Sequence, residues 1–201
     1  MKKVLIAAAL GMLVAGQVAA QESPWLVRAR AVQLNMANSN ETDLTGALTP
    51  SVNDKWIPEV DVSYFFSKNI AAELILTVPQ KQHVYLNGAE TGTFKHLPPT
   101  LTVQYHFTDF VGYKPYVGAG LNFTKISDEK APTALGDITL SNNSVGAALQ
   151  AGVDIPLNKQ MSLNFDVKKI QIKSNVYVGG ADHGILKLDP VVVGVGVGYR
   201  F

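Results

Sequence analysis

Four histidines, His83, His96, His106 and His183, are the only imidazoles in the chain and the first place to look for metal binding or acid–base work. Their spacing supports neither. No pair stands as His-x-His or His-Glu-x-x-His, arrangements that put two ring nitrogens on one metal. A catalytic nucleophile would need a base within hydrogen-bond reach. No Gly-x-Ser-x-Gly turn is present and the chain has no cysteine. Enzymatic activity, a metal and a cofactor are therefore not expected. His183 sits in a polar stretch where solvation accounts for it, and His96, beside Pro98 and Pro99, reads as part of an ordered loop entrance.

The charged residues offer a different chemistry. Arg28, Arg30, Asp61, Glu73, Asp154, Asp166, Lys168 and Arg200 each fall on the polar phase of an alternating segment. Brought together in an enclosed interior, acids and bases would pair, because an unpaired buried charge is costly. Pairing of that kind plugs an interior rather than conducting ions through it.

The elements that must position these side chains are β-strands. In Thr100-Leu101-Thr102-Val103-Gln104-Tyr105-His106-Phe107, one phase carries Leu101, Val103, Tyr105 and Phe107, and the other Thr100, Thr102, Gln104 and His106. One face suits lipid and the other a polar interior, the pattern of a transmembrane β-strand. Met161–Lys168 and Val145–Ile155 split the same way and turn Asp154, Asn164, Asp166 and Lys168 inward. In Ile70–Thr77, Glu73 and Ile75 take the inward phase, opposite Leu74 and Leu76.

Such segments occur at about 25–34, 57–66, 70–78, 100–108, 114–126, 144–155, 161–172 and 186–201. Eight strands, an even number, suit a bacterial barrel with both ends on the periplasmic side. Short connections, Ser67-Lys68-Asn69, Thr108–Tyr113 and Pro156–Gln160, are rich in turn residues and read as periplasmic turns. Longer polar stretches near 35–56, 79–99, 127–143 and 173–185 read as extracellular loops. Trp25, Tyr64, Phe66, Tyr105, Phe107, Tyr199 and Phe201 fall near the short turns or the ends and fit an interfacial girdle, with Trp56 at the opposite rim.

Residues 1–20 are set aside. Lys2 and Lys3, the apolar run from Val4 through Val14 and the small residues ending at Ala20 read as a secretory signal peptide that is cleaved. Residues 21–201 then form the barrel. Removing Lys2 and Lys3 from 17 basic residues leaves 15 against 16 acidic ones. That balance implies no nucleic-acid partner. No later window is apolar for the roughly 20 residues a spanning helix needs. Without cysteine the fold has no disulfides, and a closed barrel holds by its ladder instead, since every strand has two neighbours.

Several blocks resemble one family. Tyr64-Phe65-Phe66-Ser67-Lys68-Asn69-Ile70-Ala71-Ala72-Glu73-Leu74, His96-Leu97-Pro98-Pro99-Thr100-Leu101, Tyr105-His106-Phe107, Pro115-Tyr116-Val117-Gly118-Ala119-Gly120-Leu121-Asn122 and Gly198-Tyr199-Arg200-Phe201 are similar to the OmpW family of eight-stranded outer-membrane barrels. The resemblance implies an all-β fold, an eight-stranded antiparallel transmembrane β-barrel in the bacterial outer membrane, surrounded by outer-membrane lipid. It implies a narrow lumen, partly apolar, that passes small hydrophobic solutes and releases them sideways. Receptor roles for bacteriocins or phages are also associated with the family. Tyr199 and Phe201 belong, by the same resemblance, to a terminal signal read by the barrel-assembly machinery. Ile75 matches an apolar lumen position, and Lys168 stands where a close family member has a large aromatic.

Three readings follow. The first is a channel for small apolar or amphipathic solutes, with Glu73, Ile75, His106 and Lys168 in its lumen. The second is a surface protein acting through its loops without transport. The third, a soluble lipid-binding barrel, would place the apolar phase inside and the charged phase outside.

Overall fold

The computed structural model describes residues 23–42, 50–86, 88–130, 132–133 and 136–201. The expected signal segment, 1–20, and the expected mature start at Gln21 lie outside the described residues. The described residues form only β-strands and their connections: β1 (Trp25–Asn35), β2 (Ser39–Thr42), β3 (Pro50–Val52), β4 (Lys55–Phe65), β5 (Ile70–Thr77), β6 (Gln80–Leu86), β7 (Ala89–Leu97) and β8 (Thr100–His106) make the first half. The second half holds β9 (Lys114–Lys130), β10 (Pro132–Thr133), β11 (Gly136–Leu140), β12 (Asn143–Pro156), β13 (Met161–Ile170), β14 (Lys173–Val178), β15 (Ala181–Lys187) and β16 (Val191–Arg200).

Eight of these are barrel staves. The antiparallel order β1-β4-β5-β8-β9-β12-β13-β16 returns to β1, which closes the wall. Period two in the sequence decides which face each residue takes. Val103 is 59% exposed while its neighbour Gln104 is 1% exposed, and along β13 Phe165 and Val167 point out while Asp166 and Lys168 are buried. The apolar phase is outside and the charged phase inside, the reverse of a soluble lipid-binding barrel.

The first and last described residues lie with the short turns. Ser23 N–H donates to the Phe201 carbonyl at 3.0 Å, and the 66–70 and 157–161 turns close on Ile70 and Met161 carbonyls. Outward aromatics pack edge to face around this rim as Trp25–Tyr64, Tyr64–Phe66, Tyr105–Phe107 and Tyr199–Phe201.

Where they are described, the long connections carry β-strands. Within the stretches expected as polar loops, β6 and β7 continue the wall upward beside β3 and β9, and β10, β11, β14, β15 and β2 form a second sheet. Their period-two signal is short and interrupted, so polarity hides it in the sequence. Two staves also end early. The expected 186–201 strand begins at Val191, because Asp189 adopts φ +30° and Pro190 has no N–H to donate. The expected 161–172 strand stops at Ile170, and the backbone of Ile172 then pairs with Leu188.

The interior is layered. Along β1 the inward residues climb as Leu26, Arg28, Arg30, Val32 and Leu34. Leu26 packs with Phe65 and Ala71 at the bottom. Val32 and Leu34 join an apolar cluster that includes Ile57, Val84, Phe94, Ile126, Ile170, Leu186 and Val192 at the top. Between the two apolar levels lies a layer of charge.

Candidate functional site

The charged layer is built by side chains from most staves. Arg28 donates through Nε and Nη2 to both oxygens of Asp154, at 3.1 and 2.7 Å, a bidentate geometry that suits a planar guanidinium. Its Nη1 donates to Asp61, Ser63 and Glu73 at 3.1–3.2 Å. Arg30 donates to Glu59 at 2.9 Å and to Asn164 at 2.6 Å. Its Nη1 also lies 2.7 Å from Asp61 Oδ2, an ion contact outside hydrogen-bonding alignment. Lys168 joins Glu59 at 2.7 Å and Asp166 at 2.8 Å.

Neutral groups complete the layer. Tyr116 donates its hydroxyl to Asp166 at 2.7 Å, and Gln150 donates to the same carboxylate oxygen at 2.8 Å. Gln104 donates to Glu73 at 2.8 Å, and His106 shares a 2.9 Å contact with Gln104 while stacking on Tyr116. Gly152 makes room for that phenol, since a Cβ there would run into the Tyr116 ring. Arg28, Arg30 and Lys168 thus face five carboxylates, Glu59, Asp61, Glu73, Asp154 and Asp166, all nearly sealed from solvent. Arg200 stays outside the layer, donating to the Ser23 carbonyl and lying over the Phe65 ring.

Alternation alone marks most of these residues. Glu59 and Tyr116 are the additions: Glu59 shares the phase of Asp61 two residues on, and Tyr116 that of Gly118 and Gly120. A cleft of about 360 Å³ opens beneath, lined in part by Leu26, Phe65, His106 and Asp154. It stops at the charged layer.

Ile75 sits at the upper boundary of this layer. It is buried, directly opposite Asp61 on β4 and Thr100 on β8, and outside the apolar cluster above. Lys168 is held in the charge network, so this level of the lumen is polar and closed. His106 and Glu73 belong to the same network.

His96, Pro98 and Pro99 take a different place. His96 is on strand β7, turned into the interior, 1% exposed and 6.1 Å from the Phe94 ring. Outward Lys81, Lys95 and Lys125 at its height put this level beyond the lipid-facing band. Burial, with the positive field of Lys55 second, holds its imidazole down to about 4.

The prolines mark a seam in the wall. Pairing between β5 and β8 ends at Ile75↔Thr100, and pairing between β6 and β7 resumes at Gln80↔His96. Residues 76–79 therefore face 97–99 across an interruption containing Pro79, Pro98 and Pro99. Carbonyls there are satisfied locally: Pro98 accepts from the side chains of Thr100 and Asn122, and Val78 from Thr77 and Gln80. On the other side of β5, pairing with β4 stops at Glu59↔Thr77, one residue short of Pro58. A proline gives the ladder no donor, so four prolines concentrate the unpaired backbone at one height. That height matches the lower edge of the apolar cluster, where Ile57 precedes Pro58.

A closed eight-stranded wall with an apolar outside, aromatic rim and polar, ion-paired inside defines a transmembrane β-barrel of the outer-membrane class. The chain belongs to the OmpW family, whose model matches residues 15–201. It is 42% identical over 193 residues to the uncharacterized outer-membrane protein y4mB of Sinorhizobium fredii, covering 92% of this chain and 82% of that one. It is 32% identical to outer membrane protein W of Escherichia coli over the whole of both chains. The crystal structure of the outer membrane protein OprG from Pseudomonas aeruginosa shares the fold at TM-score 0.76 and 23% identity, over 92% of this chain and 99% of that one. The bacterial outer membrane is accordingly its location.

Proposed function

We propose that this barrel is a channel for small hydrophobic or amphipathic molecules, which enter from the extracellular side and leave sideways into the membrane. The observation that carries the reading is the match in height between the apolar upper interior and the proline seam, directly above a charged plug. An apolar solute gains by burying its surface among Val84, Phe94 and Ile126. Crossing the plug would pull apart buried ions that are already paired, with nothing offered in return. The seam offers lower resistance, since no ladder hydrogen bonds need break there, and outward Leu76, Val78 and Phe123 meet lipid beside it. The reading assigns no catalytic step.

The test is uptake of an n-alkane by cells carrying matched amounts of folded barrel. Wild type should exceed cells without the barrel, and Pro79→Ala/Pro98→Ala, which restores two ladder donors, should reduce the gain. Ile75→Trp, at the boundary between the charged layer and the apolar cluster above it, should reduce it too, and outward Leu76→Trp should leave it unchanged. Wild-type uptake no better than that of empty cells would refute the channel.

The packed interior favours a second reading, a receptor that acts through the extracellular β extension without transport. Bacteriocins or phages are partners of the kind such a surface would serve, and the refuting result above would point to them.

A further inference from the structure

Among the described residues, four buried polar atoms on β6 and β7 have no hydrogen-bond partner: Nε2 and Oε1 of Gln82, and Nδ1 and Nε2 of His96. Both residues are sealed, at 0% and 1% exposure. Buried polar groups are nearly always paired, and leaving one unpaired is destabilising. Gln80, on the same inward face, follows the rule by donating to the Val78 carbonyl at 2.8 Å. Gln82 and His96 depart from it together.

The ladder places these two side chains beside each other. Gln82 lies directly opposite Phe94, and His96 opposite Gln80 on one side and Ile126 on the other. Gln82 and His96 are thus diagonal neighbours on one face, a separation that long side chains span. Around them are Val52, Val84, Phe94 and Ile126 of the apolar cluster.

We propose that Gln82 and His96 form a recognition site for the uncharged hydrogen-bonding head of an amphipathic solute, whose apolar tail lies against Val84, Phe94 and Ile126. The proposal rests on the channel reading and names its preferred substrate class. Gln82 supplies an amide donor and a carbonyl acceptor, and a neutral imidazole supplies one of each. Burial keeps that imidazole neutral at physiological pH. A hydroxyl or carboxamide head, itself donor and acceptor, satisfies all of these atoms better than a hydrocarbon can. A carboxylate head fits poorly, because it would lose water without gaining a cation. Lys55, whose field reaches His96, takes the inward phase but is half-exposed, and its ammonium donates to the Lys81 carbonyl at 3.2 Å.

The experiment compares uptake of 1-octanol, n-octane and octanoate by cells with matched amounts of folded wild type, His96→Phe/Gln82→Met, or no barrel. Wild type should favour 1-octanol over n-octane relative to empty cells. The double variant should lower the ratio of 1-octanol to n-octane uptake by about fivefold, the worth of one or two neutral hydrogen bonds. An alcohol-to-alkane ratio that the substitutions leave unmoved would overturn the site, and so would a preference for octanoate. Failure of the wild type to raise uptake of any of the three would instead remove the channel reading itself. As a measurement on the unaltered protein, 1-octanol added to nanodisc-embedded barrel should shift the His96 imidazole resonances. Resonances that stay in place at saturating 1-octanol would also overturn the proposal.

Discussion

Replacing Arg28 with methionine should be among the most damaging single changes in the barrel. The side chain is fully buried and donates five hydrogen bonds, to Asp154, Asp61, Ser63 and Glu73. Methionine keeps an apolar stem of similar reach, so the loss is mainly electrostatic. The layer would then set two cations, Arg30 and Lys168, against five carboxylates. Removing one partner of a buried ion pair destabilises by about 3–5 kcal/mol, because the remaining charge stays desolvated and unpaired. Equilibrium urea unfolding in lipid vesicles measures this, with outward Trp25 and Trp56 reporting insertion by fluorescence. Arg28→Met/Asp154→Asn should recover part of the loss, since it neutralises the carboxylate held bidentately, and coupling between contacting residues runs to about 0.5–3 kcal/mol. A loss below about 1 kcal/mol for Arg28→Met, or no recovery in the double variant, would refute the account of the layer as an obligate ion-paired plug.

Three further outcomes are expected. Val195, outward and midway between the rim aromatic Tyr199 and Val191, should lose about 2–4 kcal/mol on replacement by arginine in the same unfolding assay; a change near zero would place it outside the bilayer. His96 titrates near 4 in the fold and near 6.5 when unfolded. The unfolded chain therefore binds more protons between those values, and stability of the β6–β7 hairpin is intact above pH 6.5 and falls by up to about 3 kcal/mol on acidification towards pH 4. Amide exchange in the hairpin, corrected for its intrinsic rate, should accelerate across that window in wild type; the same acceleration in His96→Phe would remove the assignment. Phe201→Asp should lower the amount of folded barrel in the outer membrane, measured by heat-modifiable migration, and normal yield would show that the terminal aromatic carries no assembly signal.

Much of the molecule is legible without coordinates because a strand has a period of two and a barrel has two solvents. Once Leu101, Val103, Tyr105 and Phe107 share one phase, Thr102, Gln104 and His106 must share the other. The same rule turned Asp154, Asp166 and Lys168 inward, and the structure buries all three. Family blocks such as His96–Leu101 added the order of the staves. The extracellular stretches resisted this reading. In Gln80-Lys81-Gln82-His83-Val84 most residues are polar on both phases, so nothing in the sequence separates a solvated loop from a strand whose inward glutamine is buried.

The sequence by itself thus determined the membrane-spanning β class, the phase of each stave, the short turns and the inward charges, since each depends on neighbours within a few residues. Tertiary structure alone decided which charges meet. Arg28 and Asp154 are 126 residues apart in the chain and 2.7 Å apart in the barrel, a contact fixed by closure of β1 on β16 and by the stagger of the staves between. It also decided that prolines from three separate stretches of the chain, Pro58, Pro79 and Pro98-Pro99, converge at one height of the wall, and that Gln82 and His96 are buried side by side without hydrogen-bond partners among the described residues. Local alternation fixes a direction, inward or outward, and only register and closure turn directions into distances.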